Sequence, residues 1–152
     1  MIRDDIKVAQ VEAMKARDTV RRQAISLIQA AIKNRDIELR TAAAPADDDT
    51  MVREVLQKMA KQRRESIDMF EQGGRQELAD NERAELGVIE SFLPQQMDED
   101  AAKTAIAAIV AETGATSVKD MGRVMAEVKA RHAAEMDMSR ASGLVKAALS
   151  GS

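Results

Sequence analysis

The chain has no cysteine, no tryptophan and no tyrosine, and its only aromatic rings are Phe70 and Phe92. Without cysteine there is no disulfide framework and no thiolate metal site. With aromatics at 1% of the sequence, the core has to be assembled from Ala, Ile, Leu, Val and Met. That composition suits closely packed helices better than a sandwich or a barrel. Proline occurs only at Pro45 and Pro94, so long stretches run without a backbone break. No apolar run approaches membrane-spanning length, and the opening residues, Met1-Ile2-Arg3-Asp4-Asp5, lack the apolar segment of a secretory leader. These absences suit a reducing compartment, and the expectation drawn from them is a soluble cytoplasmic protein with no membrane partner. An excess of one charge is missing too: 23 Lys and Arg stand against 26 Asp and Glu, a net charge of −3. The balance is similar on both sides of Pro94, 16 against 18 over residues 1–94 and 7 against 8 over residues 95–152. A global basic field is thereby excluded, and any phosphate contact has to come from a local patch.

What the sequence does have is Ala, Glu, Lys, Arg, Gln and ten Met, residues of high helix propensity, with no strand-type alternation. The fold class is therefore all-α. A first helix runs from about Arg3 to Arg17 with Ile6, Ala9, Ala13 and Ala16 inward. Asp18-Thr19 caps a second, to about Arg40, with Val20, Ala24, Leu27, Ile28 and Ala31 on one face. The stretch Thr41 to Asp49, with Pro45 and the acids Asp47, Asp48 and Asp49, reads as an exposed loop. A third helix starts at Asp49 or Thr50 and stops at Gly73-Gly74, and a fourth runs from Gln76 to Leu93-Pro94. Beyond Pro94 the helices shorten. Asp98 caps an Ala-rich one that ends at Gly114, Ser117 caps another with Met121, Val124, Met125 and Val128 inward, and Ser139 caps a last one with Leu144, Val145, Ala148 and Leu149. The organisation predicted is an N-terminal helical domain of about four helices, residues 1–94, followed by a small three-helix tail domain, residues 95–152.

Three charges interrupt apolar stripes. On the third helix the stripe is Val52, Val55, Leu56, Met59, Ile67 and Phe70, and Arg63 falls inside it at 100° per residue. On the fourth, Glu82 and Glu85 fall among Leu78, Leu86, Ile89 and Leu93. Charges are expensive to bury alone, so the spacing predicts a structural ion pair of Arg63 with Glu82 and Glu85 that locks two antiparallel helices. The alternative, an acid/base constellation, lacks a nucleophile nearby in sequence. The basic cluster Lys58, Lys61, Arg63 and Arg64 resembles a phosphate patch, yet Glu54–Lys58, Lys61–Glu65 and Arg64–Asp68 are each four apart, which favours a self-paired solvated face. In the tail, Lys119, Arg123, Lys129, Arg131, Arg140 and Lys146 are the cations available for a discontinuous positive edge. Scarce aromatics argue against single-strand binding by base stacking, but folded RNA is held through phosphate and 2′-OH contacts. His132 is the only histidine, and with no cysteine beside it a metal site is not expected. Met121, Met125, Met136 and Met138 read as core filler. No catalytic triad, nucleotide-binding fingerprint or cofactor motif is present.

Taken in order, Lys58-Met-Ala-Lys-Gln-Arg-Arg-Glu-Ser-Ile67, Gly74-Arg-Gln-Glu-Leu-Ala79, Glu82-x-x-Glu85, Phe92-Leu-Pro94, Gly114-Ala115, Lys119-Asp-Met-Gly-Arg-Val-Met125 and Gly143-Leu-Val-Lys146 resemble the YqeY family. These small helical proteins are related to the tail of the B subunit of the tRNA-dependent amidotransferase (the GatB/YqeY tail). Residues His132 to Ser139 depart from the glycine-and-aspartate form of many members. The resemblance implies a helical domain with a three-helix tail, and partners drawn from tRNA or an enzyme that aminoacylates or modifies tRNA. It implies Lys119 and Arg123 as the contact edge, supported by Lys129 and Lys146. The amidotransferase's catalytic body has no counterpart here, so the expectation is a non-catalytic, translation-related protein without cofactor. Two other readings stand beside it: a protein–protein adaptor using the long N-terminal helices, and an accessory in glutamine-dependent carbon–nitrogen ligase activity.

Overall fold

A computed structural model describes residues 1–43 and 47–150, and among them all regular structure is helical. The helices are α1 (Ile2–Lys15), α2 (Thr19–Glu38), α3 (Asp48–Gln72), α4 (Gln76–Glu90), α5 (Glu99–Thr113), α6 (Met121–His132) and α7 (Met138–Ser150), with a 3-10 turn, Val118–Asp120, before α6. The chain divides into two compact units, Met1–Pro94 and Gln95–Ser152. No helix among the described residues is long and apolar enough to cross a membrane.

In the first unit, α1 to α4 close around Ile6, Ile25, Ile28, Val52, Leu56 and Ile89, all but inaccessible to solvent. Each fully buried aliphatic side chain of this kind contributes roughly 1.5–3 kcal/mol. The long α3 and α4 form the main antiparallel pair. Their turn works because Gly74 takes φ +71°, a left-handed conformation that costs glycine little, while the Arg75 amide closes the end of α3 on the Phe70 carbonyl at 2.7 Å. On α2 the buried stripe is Ala24, Ile25, Ile28 and Ile32. Val20 and Leu27, expected inside, are exposed, because Ile25 and Ile32 turn the helix and displace them to its edge.

The acids Asp47 to Asp49 are not the exposed loop the sequence suggested. Asp47 caps α3, accepting from the Thr50 amide at 2.7 Å, and Asp48 and Asp49 fill its first turn. Carboxylates are favoured there because the free amides and helix dipole stabilise them. The Thr50 amide also holds the Asp47 carboxyl below the usual carboxylate range. Ala44, Pro45 and Ala46, the remainder of the expected loop, lie outside the described residues.

In the second unit, α5, α6 and α7 pack around Ile106, Ile109, Val124, Val128 and Val145. Met136 is buried in this core, with Met121, Met125 and Met138 packed against it. Asp98 caps α5, and Gly114 ends it in the left-handed region, φ +67°. The cap of the last helix belongs to Asp137, which accepts from the Ser139 amide at 3.0 Å. Ser139 therefore lies inside the helix it was expected to cap, a carboxylate acceptor two residues earlier having taken that role.

Candidate nucleic-acid interface

The tail cations sit on three mutually packed elements. Lys119 lies in the 3-10 turn, Arg123 and Lys129 on α6, and Arg140 and Lys146 on α7, all exposed. The turn carrying Lys119 is closed by a capping box between Ser117 and Asp120. Asp120 accepts from the backbone amides of Thr116 (2.9 Å) and Ser117 (3.4 Å), which hold its carboxyl below the usual range. Its other oxygen pairs with the Arg123 guanidinium at 3.3 Å. Lys119 and Arg123 are thus presented by one braced segment, with Asp120 offsetting part of the charge between them. Lys129 lies about 120° around α6 from Arg123, since six residues advance a helix by about 600°. It does not extend the Lys119–Arg123 edge along one stripe. Among the described residues, Lys119, Lys129, Arg140 and Lys146 take part in no ion pair.

Arg131 is different. It reaches Glu112 on α5 at 2.6 Å and Glu127 on its own helix at 3.2 Å, and Glu112 raises its already high pKa. Its guanidinium is engaged in joining α5 to α6, which removes it from the set of cations available to a ligand. His132 Nδ1 lies 3.1 Å from Glu135 Oε2 at the end of α6. No group of metal-ligating residues of the kind that holds an ion occurs among the described residues.

In the first unit the structure brings Arg63, Glu82 and Glu85 together. Arg63 Nε lies 2.8 Å from Glu85 Oε2 and 3.2 Å from Glu82 Oε2. The side chains are 20%, 23% and 29% exposed, so the triad sits at the rim of the α3–α4 seam rather than deep within it. Arg63 Nε and Glu82 Oε2 are themselves shielded from water yet make no aligned hydrogen bond. The attraction is coulombic, in a poorly hydrated spot where it is screened less than at an open surface. Arg64 pairs with Glu90 of α4 at 3.1 Å, not with Asp68 on its own helix, and Arg83 of α4 reaches back to Glu71 of α3. The cluster expected to neutralise itself along α3 is therefore partly used to bind α4.

Arg3 was missed by sequence reasoning. Its guanidinium takes Asp36 of α2 at 2.9 and 3.0 Å and Asp48 of α3 at 2.7 and 3.1 Å, while the Ile2 amide donates to Asp49 at 3.0 Å. One side chain thus ties three helices. Its hydrogen bonds hold both Asp36 and Asp48 below the usual carboxylate range and raise the arginine's own pKa. The one signal in the sequence was the Asp47–Asp49 run, a concentration of acid that a nearby cation would offset, and it does not single out Arg3.

Comparison with known proteins gives two results. A protein named Altered inheritance of mitochondria protein 41, mitochondrial, from Eremothecium gossypii is 32% identical over 92 residues, 60% of this chain and 46% of the relative. The protein of the same name from Saccharomyces cerevisiae is 30% identical over 95 residues, 62% of this chain and 48% of its own length. The chain therefore spans about half the length of the curated relatives it matches. Their names overturn the cytoplasmic expectation. It rested on the lack of cysteine, which suits any reducing compartment and does not select the cytoplasm. The other result covers almost everything described above, from Arg3 through the α3–α4 seam and the tail to Leu149: residues 3–149 match the sequence profile described as Yqey-like protein, and the chain belongs to the YqeY family.

Proposed function

We propose that this YqeY-family protein is a non-catalytic binding protein whose tail contacts folded RNA of the tRNA class. Lys119 and Arg123 form the contact edge, supported by Lys146 on α7 and, from a separate stripe of α6, by Lys129. The observation that carries this reading is the division of labour among the tail cations. Arg131 joins two helices through Glu112 and Glu127, Arg123 holds only a local 3.3 Å contact with Asp120 on the same segment, and Lys119, Lys129 and Lys146 are exposed and, among the described residues, unpaired. Lysines left in water are free to neutralise phosphates and release the cations condensed on the nucleic acid, which is the source of salt-dependent affinity. The Asp120 brace presents Lys119 on a preformed turn, so little ordering is needed on contact.

The test is a titration of bulk tRNA into the purified chain from low to physiological salt. Lys119→Ala/Arg123→Ala should weaken binding about tenfold and lower the salt slope by about 1 to 2. Arg131→Ala, which removes a charge of the same sign from the same unit, should leave the slope nearly unchanged. An isotherm indifferent to Lys119 and Arg123 would remove them from the interface. An adaptor working through α3 and α4 finds less support: the large apolar side chains exposed there are Met69 and Leu78, and most others lie on α1 and α2.

A further inference from the structure

Helix α1 is apolar on two opposite faces. Ile6, Ala9 and Ala13 are buried in the core of the first unit. Val8, Val11 and Met14 are 56%, 50% and 55% exposed, and at 100° per residue their mean direction lies about 180° from the buried set. Three large apolar groups on the solvent side of one short helix are not needed for the fold. A polar residue at any of these positions would keep the inward face intact.

On that outer face, with Lys7 at its flank, one ridge carries its charges in a definite order. Asp4, Val8, Val11 and Lys15 succeed one another at spacings of four, three and four residues, so they form one ridge along the helix. Asp4 and Lys15 are exposed and, among the described residues, engaged in no ion pair. The ridge reads acid, apolar, apolar, base. A sequence of this kind is complementary to itself when reversed. If a second copy of α1 is laid antiparallel across a two-fold axis between Val8 and Val11, Val8 meets Val11 of the other copy. Asp4 then meets Lys15 at both ends. A parallel arrangement would instead set Asp4 against Asp4 and Lys15 against Lys15. Two-fold pairing uses the same patch twice and closes without leaving an open end.

We propose that a second copy of this chain docks on the outer face of α1, antiparallel, through the ridge Asp4-Val8-Val11-Lys15 with Met14 at its flank. The contact is one helix long, roughly 21 Å for 14 residues, and its area falls below the ~800 Å² per partner of a standard stable interface. The resulting dimer is weak and concentration-dependent. It leaves the inward face of α1 and its contacts with α2 and α3 undisturbed.

Sedimentation equilibrium of the full chain from micromolar to millimolar concentration provides the test, with circular dichroism to confirm that each variant is folded. The wild type should show a monomer–dimer equilibrium. Val11→Glu should abolish it while keeping the helical spectrum, since the side chain is exposed. Asp4→Lys sets lysine against lysine at both ends and should weaken dimerisation about tenfold. Asp4→Lys/Lys15→Asp exchanges both charges and should restore the wild-type equilibrium, a rescue that a nonspecific apolar contact would not give. A wild type that stays monomeric across the range overturns the proposal, as does a dimer that survives Val11→Glu or a double exchange that fails to restore association.

Discussion

The two units use arginine in different proportion to lysine. In Met1–Pro94, arginines stitch helices together: Arg3 joins α1, α2 and α3, while Arg63, Arg64 and Arg83 span α3 and α4. In Gln95–Ser152, Arg131 does this between α5 and α6, Lys103 pairs with Glu99 within α5, and Lys119, Lys129 and Lys146 are exposed and, among the described residues, in no ion pair. A guanidinium presents a planar fork that engages two carboxylates at once, whereas an ammonium is a hydrated point charge on a flexible stem. The first unit ties its helices with four arginines and the tail with one, while in both units other cations, Lys15 and Lys119 among them, stay exposed and, among the described residues, outside any ion pair. The similar balance of charge on the two sides of Pro94 therefore conceals different uses of arginine between helices.

The sharpest way to break this comparison is Arg63→Ala. It leaves Glu82 and Glu85, one turn apart on α4, facing a seam without their cation. Full burial would make that loss cost on the order of 3–5 kcal/mol. With all three side chains partly exposed, solvent screening reduces it to about 2 kcal/mol. Urea denaturation followed by helical signal measures it, and a midpoint equal to wild type would show that the seam is held by its apolar contacts alone.

Arg3→Ala should cost less, about 1 kcal/mol, because Asp36 and Asp48 are also partly open to water. Its pH dependence is diagnostic. Both carboxyls are held below their ordinary value of 3.8 in the folded chain by the Arg3 hydrogen bonds. Their stabilisation is therefore fully present above the unfolded value and is lost as pH falls through the lower folded values. The gap between wild type and Arg3→Ala should be constant near neutrality and close in strong acid. A gap that persists below pH ~2 would mean that Arg3 acts by packing instead.

Much of this architecture is visible in the sequence where a residue violates its surroundings. Arg63, Glu82 and Glu85 stand out because each interrupts an apolar stripe. Pro94, Gly74 and Gly114 mark turns because few other residues do so at low cost. Arg3 violates nothing: it interrupts no apolar stripe, and its partners are 33 and 45 residues away, a separation that periodicity cannot bridge. Asp47 to Asp49 are misread because aspartate is favoured both in loops and at the start of a helix, and only the three-dimensional partner decides between them. The tail edge is partly legible. Lys119 and Arg123 are linked by sequence spacing, whereas the displacement of Lys129 follows from helical geometry and the loss of Arg131 from a glutamate 19 residues earlier.

The smallest expected effect sharpens the comparison from the tail side. Gly122 lies within α6 beside Arg123, and a Cβ placed there meets no atom within 4 Å. Gly122→Ala should therefore stabilise the helix by about 0.5–1 kcal/mol. If thermal stability rises while tRNA affinity falls, the bare backbone at Gly122 serves the approach of a ligand. If both rise or affinity is unchanged, the glycine has no such role.

A core assembled almost without rings has a practical consequence. With neither tryptophan nor tyrosine in the chain, the protein is nearly dark in the near ultraviolet. Bound nucleic acid can be read there against almost no background. Phe92 packs against the core of the first unit, with the Arg21 guanidinium 6.0 Å from its ring centre. Phe92→Trp would place a single fluorophore in that unit and leave the tail silent, so that unfolding of the first unit is followed by its fluorescence alone.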